Sequence, residues 1–326
     1  MPPYDVVDIR EGEPTSIDPE GAFLIVCRYA TRPVLAWIER NAGQLAGVVL
    51  FIDDDIPAVV TGRDATLGYR LFLSFRALWP LRRLNPQLDA VWTSTAPLAG
   101  TLATRNVSVL PPAPARYLWQ RNPNVSPVMA ADRSSGILIA FHATAVHREE
   151  HRFLRPIIRA VLDQRPQVRF EVFADEKAAV LWKGIDRVSI RKPLPWAAYL
   201  ADGQARTIDI MLVPLSPSRE NDSRAPTKRI DVARYGAAGI FSASFAYGEP
   251  DDSNELRLPY DPEAWRNSIL VLIDDEAMRQ RAAAITSALA AEMGGRAESG
   301  IPDLFPDLSR GGRSALHPVN GVRGRG

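Results

Sequence analysis

Short apolar runs alternate with longer amphipathic stretches along most of the chain. In its first part, Ala22–Ala30 (AFLIVCRYA), Gly47–Ile56 (GVVLFIDDDI), Leu88–Thr95 (LDAVWTST) and the run from Val107 into a proline cluster read as strands. Between them, a helix is predicted over 32–46, with Thr31 as N-cap and Pro33 in its first turn. A second is predicted over 69–84 with a break at Pro80, and a short third over 96–103. The polar, Pro/Asn/Ser-rich stretch 121–135 reads as a linker. The alternation then restarts. Strands are expected at 136–144, 168–175, 188–194, 209–215 and 240–244, with helices at 148–166, 178–183, 195–203 and 225–239 and one long helix within 261–293. Strand and helix in strict alternation make parallel sheets clothed by helices. The expected architecture is α/β, with two Rossmann-like domains whose parallel sheets face a cleft. Their expected limits are 1–125 and 136–295, followed by a flexible tail, 296–326.

Composition narrows the class. The 326 residues are enough for two cores. With 46% hydrophobic and 24% charged residues the chain is ordinarily globular, and its net charge of +1 gives no field for nucleic acid. Cys27 stands alone, so no disulfide framework or cysteine-rich zinc site is expected. The acidic, proline-bearing N-terminus is unlike a signal peptide, and no run of about 18 apolar residues is present. A cytoplasmic location follows as the expectation, with the periphery of the inner membrane as a variant of it.

Ligands of doubly wound sheets sit beyond the carboxyl ends of the strands, so polar groups there carry the candidate chemistry. After the strand at 209–215 comes NDSRAPTKRID, with Asn221, Arg224, Lys228 and Asp231. A helix beginning near Ala225 puts Arg224 and Lys228 on adjacent turns at its N-terminus, where N–H groups and the helix dipole favour a phosphate. Asp231, one turn on, suits the paired hydroxyls of a ribose. The alternative is a solvated face with an i,i+3 Lys–Asp pair. After the strand at 136–144, His142, His147 and His151 with Glu149 and Glu150 suggest a metal, but a third ligand in good spacing is missing and none is expected. Thr144, His147 and Arg148 are instead candidates to hold an anion such as a phosphate, with helix capping as the alternative. In Gly47–Ile56, Asp54 and Asp55 end a strand; they are candidates for polar chemistry at that strand end, or else serve a helix N-cap. The segment 68–87 carries Arg70, Arg76, Arg82 and Arg83 among aromatics and no acid. Packing on the sheet with arginine heads in water is the favoured reading; contact with an anionic membrane is the other.

The stretch DIMLVPL followed by Asn221, Arg224, Lys228, Asp231, Gly236 and Ser242 resembles the nucleotide-sugar segment of GT-B-fold glycosyltransferases. Most similar are the bacterial surface-polysaccharide enzymes of the large retaining family that includes glycogen-synthase-like and mannosyltransferase-like proteins. The opening of the second half, ILIAFHATAVHREEHRFL, and the first-half runs VVLFIDDDI and LDAVWTSTAPLAGTLA resemble the same family. The resemblance implies transfer of a sugar from a nucleoside-diphosphate sugar to a glycan or lipid-linked acceptor, with retention and without metal or other cofactor. It implies His147, with Asp54 and Asp55, near the reaction, and Thr144, His147, Arg148, Asn221, Arg224, Lys228 and Asp231 around the donor. The chain departs from the family pattern in three ways: Asp231 replaces a glutamate, the glycine-rich loop of the first domain is missing, and His147 and Arg148 stand where many members carry an Arg-x-x-x-x-Lys pair. These departures give a second reading, a relative that binds nucleotide or glycan with weakened turnover. A sugar-nucleotide epimerase on the same scaffold is a third.

Overall fold

The computed structural model describes residues 4–10, 12–62, 65–103, 106–121, 136–143, 147–248 and 254–296. The chain divides into two compact units. One runs to Pro111 and takes in Asp222–Ala225; the other comprises Pro112–Asn221 and continues from Pro226.

The first unit contains β1 (Phe23–Cys27), α1 (Arg32–Asn41), β2 (Gly47–Ile52), α2 (Ile56–Thr61), α3 (Leu67–Leu73), α4 (Trp79–Leu84), β3 (Ala90–Thr93), α5 (Ala96–Gly100) and β4 (Val107–Val109). Its strands are all parallel, in the order β1-β2-β3-β4. Val26 lies beside Leu50, and Leu50 beside Val91. These residues form one core with Val34, Leu35, Trp37 and Ile38 of α1. Val49, Ala90 and Trp92, on the alternate positions, form a smaller cluster with Phe23, Phe51 and Leu110. The helix predicted over 69–84 is interrupted: a π-helical turn, Ser74–Leu78, joins α3 to α4, and Pro80 falls in the first turn of α4. Packing of this stretch is also different from expectation. Leu73, Ala77 and Leu84 are buried, whereas Phe72, Phe75 and Trp79 are exposed. The segment is apolar on both sides, and its neighbours Ile56, Val59 and Ala65 cover only one of them.

The second unit contains α6 (Arg116–Trp119), β5 (Ile137–His142), α7 (Arg148–Gln164), β6 (Val168–Phe173), α8 (Glu176–Ala179), β7 (Val188–Arg191), α9 (Trp196–Ala205), β8 (Ile210–Val213), α10 (Arg219–Asp222), α11 (Lys228–Tyr235), β9 (Ala238–Ser242), β10 (Arg257–Leu258), α12 (Pro262–Asp274) and α13 (Glu276–Gly295). Its sheet is parallel throughout, in the order β10-β9-β8-β5-β6-β7. Both faces are covered. Ile139, Phe170, Val172 and Leu212 pack with Leu154, Ile157 and Trp265 on one side. Ala140, Met211, Val213 and Phe241 pack with Val232, Tyr235 and Tyr247 on the other. This two-sided burial is why the strands read as continuous apolar runs. The long helix expected near the C-terminus is two helices. Asp275 separates them, with its carboxylate accepting from Met278 N at 2.8 Å as the N-cap of α13. Residues 122–135 of the expected linker, Thr144 and residues 297–326 lie outside the described residues. Within the described residues no helix is long and apolar enough to cross a membrane.

Candidate functional site

In the second sheet the strand order reverses between β5 and β8: the chain proceeds outward through β6 and β7, then returns to lay β8 on the other side of β5. A reversal leaves a crevice at the carboxyl ends of the two strands, because the connections there diverge. The residues following β5 and β8 are therefore placed by topology.

After β5, α7 starts at Arg148 with His147 as its N-cap residue. The helix forms because Leu154, Ile157, Ile158, Val161 and Leu162 make one buried stripe, while Glu149 and Glu150 in the first turn favour the positive end of the dipole. Glu150 belongs to that stripe and is only 1% exposed. Its Oε1 accepts from Ser216 N at 2.9 Å, from Ser216 Oγ at 2.8 Å and from Asn221 Nδ2 at 3.3 Å. His147 Nδ1 lies 3.6 Å from its other oxygen. Burial alone pushes this carboxyl up; the His147 imidazole and the Ser216 N–H outweigh it and bring it to about 2. Asn221 also donates to Ser216 O at 2.8 Å. One buried carboxylate thus ties the loop after β8 to the N-terminus of α7, bringing together His147, Glu150, Ser216 and Asn221. Of these, His147 and Asn221 were expected. Glu150 and Ser216 were missed as site residues, although a glutamate in register with Leu154 and Ile157 already signals a buried, partnered charge.

On α11, Lys228 Nζ is 2.9 Å from Asp231 Oδ2 and Arg234 donates to Asp231 Oδ1 at 2.5 Å. Burial raises the Asp231 carboxyl, and these two cations more than reverse it. Arg234 is fully buried; it donates to Leu118 O at 2.6 Å and lies over the Tyr199 ring at 5.0 Å. The helix begins at Lys228, three residues later than expected. Arg229 N bonds to Pro226 O and Ile230 N to Thr227 O, so a tight i→i+3 turn leads into it. Arg224 accordingly stands before the helix, in the segment that clusters with the first unit, and shares no helix face with Lys228. Gly236 ends α11 with φ 65°, the left-handed cap that glycine adopts freely. Ser242 Oγ accepts from Leu215 N at 2.8 Å, fastening β9 to the end of β8.

The three candidate histidines separate. His142 Nε2 lies 2.8 Å from Glu171, and its Nδ1 lies 3.3 Å from Tyr199 OH. Burial pushes its imidazole below the ordinary histidine value, against the pull of that carboxylate. Glu171, which burial raises, is drawn to about 2 by His142 and Arg206. His151 accepts from Trp182 Nε1 at 2.9 Å, and burial with the nearby His147 charge lowers it to about 4. No group of three or more His, Cys, Asp or Glu suited to a metal occurs among the described residues.

In the first unit, Asp55 is buried and caps α2, accepting from Ala58 N at 3.0 Å. Asp54 Oδ2 accepts from Arg28 at 2.8 Å, and Asp53 pairs with the same guanidinium. Arg28 has φ 61°, an unfavourable backbone for an arginine, at the end of β1. Asp53, Asp54 and Arg28 thus form one charged cluster at adjacent strand ends.

The sequence matches no protein-family model and no curated protein. Solved structures do match. The Anabaena protein Alr3699/HepE in complex with UDP and glucose has a TM-score of 0.57 at 11% identity, over 84% of this chain and 77% of that one. A trehalose-6-phosphate structure from E. coli bound with UDP-2-fluoro glucose has a TM-score of 0.57 at 14% identity, over 89% and 74%. The Gap123 glycosylation-associated complex of Streptococcus agalactiae has a TM-score of 0.50 at 11% identity; the match covers 89% of this chain but 56% of that one. Two parallel α/β sheets with these likenesses give the chain the fold of the GT-B glycosyltransferases.

Proposed function

We propose that this chain transfers a sugar from a nucleoside-diphosphate sugar, with the donor in the crevice between β5 and β8. The observation that carries the reading is the set of groups at that strand reversal: His147 and the N-terminus of α7 on one side, and the Ser216–Asn221 loop, pinned by Glu150, on the other. Backbone N–H groups at the start of a seventeen-residue helix, with Arg148 as its first residue, suit the diphosphate and the charge that builds on it as the sugar leaves. Lys228 on α11 is a second cation for the same phosphates, and Asp231 is the group for the ribose. Asp54 is the candidate to orient an acceptor hydroxyl. Likeness in fold to proteins solved with UDP or a UDP-sugar supports UDP as the first nucleotide to try. A retaining, metal-independent transfer to a glycan or lipid-linked acceptor, with Arg224 and Thr144 as further donor contacts, belongs to the same proposal.

The second reading is a protein that binds a nucleotide sugar without turning it over. It is favoured by Asp231, each of whose oxygens already accepts from a cation of its own helix. Titration calorimetry with UDP and GDP, on the wild type and on His147→Ala and Lys228→Ala, tests the site. Binding that both substitutions weaken about tenfold supports it; equal affinity in all three proteins refutes it. Release of UDP from UDP-sugar, with or without acceptor, then separates transfer from binding alone.

A further inference from the structure

The segment from Ala65 to Leu88 shows an outward face that the function above does not use. Leu67, Phe75 and Trp79 are 72%, 65% and 52% exposed, and Tyr69, Leu71 and Phe72 are exposed as well. They are not scattered. Tyr69 and Phe72 stack at 6.2 Å between ring centroids. Phe72, Phe75 and Trp79 follow one another at helical spacing, opposite the buried Leu73 and Ala77. Phe75 and Trp79 also wall a pocket of about 390 Å³ with Thr31, Arg32 and Arg76, in which the Arg32 guanidinium lies 5.2 Å over the Trp79 ring.

The charge around this apolar stripe has one sign. From Ala65 to Leu88 there are four arginines and no acidic residue. Arg83 is held by Glu39 at 2.6 Å. Among the described residues, Arg32, Arg70, Arg76 and Arg82 have no carboxylate partner. A stripe of large side chains rimmed by unneutralised guanidinium groups matches a surface that offers hydrocarbon beneath a layer of phosphate. Tryptophan and tyrosine favour the boundary between the two, and arginine binds phosphate through paired N–H groups. No described helix can span a bilayer, so attachment through this face is peripheral.

We propose that the α3–α4 face of the first unit docks on an anionic lipid bilayer, inserting Phe72, Phe75 and Trp79 at the headgroup level while Arg32, Arg76 and Arg82 bind lipid phosphates. This proposal uses none of the residues proposed for the donor. Flotation of the full chain tests it, using vesicles of phosphatidylcholine alone and vesicles with about a third phosphatidylglycerol. The wild type is expected to float with the anionic vesicles and to be released by salt. Phe75→Ser with Trp79→Ser, and separately Arg76→Ser with Arg82→Ser, are expected to lower the bound-to-free ratio about tenfold or more. These four side chains are exposed, so unchanged circular dichroism is expected in both variants. Absence of flotation, equal binding to neutral vesicles, or full binding by either variant overturns the proposal. So does self-association that the Phe75/Trp79 variant abolishes while vesicles stay bare, because a second copy of the chain then covers the face.

Discussion

Glu150 shows what one side chain contributes here. Three donors converge on its Oε1 from a loop 66 to 71 residues away, so removing it takes the acceptor from the part-buried Ser216 N–H and leaves Asn221 only its bonds to Ser216. Glu150→Ala should lower stability by about 1–3 kcal/mol, read from urea unfolding. The pH dependence follows from the carboxyl, which lies at about 2 in the folded chain and at 4.5 unfolded. Because the folded value is lower than the unfolded 4.5, its stabilisation is complete only above about pH 5 and is lost as pH falls toward 2. The urea midpoint of the wild type should therefore drop between pH 6 and pH 3 more than that of Glu150→Gln. The sequence shows that Glu150 is in register with the buried stripe of α7. It does not show Ser216 or Asn221 as its partners, because no local pattern encodes a contact across that separation. The same holds for Asp231: its i,i+3 pairing with Lys228 is legible in the spacing, but nothing there marks Arg234 as its second cation.

At the level of elements, alternation of apolar runs located nearly every strand, since strands covered on both faces cannot be polar. Pattern fails where local geometry overrides it. It places the start of α11 too early because the tight turn at Pro226 and Thr227 has helical polarity without α-helical i→i+4 hydrogen bonds. The division of the last helix turned on Asp275, whose capping role depends on one side-chain bond. The two-residue strand β10 is too short to carry any period. Packing between elements also sets residue identity. A Cβ built on Gly203 of α9 would lie 2.7 Å from Arg234 Nε and 3.0 Å from its Cδ and Cγ. Arg234 cannot swing away without giving up Asp231 and Leu118 O. Gly203→Ala should therefore destabilise the protein by about 1–3 kcal/mol, read as a lower urea midpoint, even though alanine is the better helix former. An unchanged midpoint would mean that α9 and α11 yield easily there.

For the molecule, the restart of strand–helix alternation corresponds to two parallel sheets, and each has its own core. What alternation cannot reveal is which side of an element stays bare: the stripe from Leu67 to Trp79 has the composition of a core and the exposure of a surface. Hydrogen exchange offers a test of the donor proposal at this scale. Saturating UDP should slow amide exchange in the first turns of α7 and in 216–221, with little change in β1 to β4. Protection confined to the first unit would move the nucleotide site there.

The cations that hold the interior of the second unit together are almost all guanidinium groups: Arg191, Arg206, Arg229, Arg234 and Arg257, with Lys228 beside them. A guanidinium keeps its proton at any alkalinity a polypeptide survives, whereas the facing Glu171 and Asp202 can still be neutralised by strong acid. The interior is thus lopsided in what can dismantle it: base leaves its arginine bonds intact, and acid takes them apart from the carboxylate side.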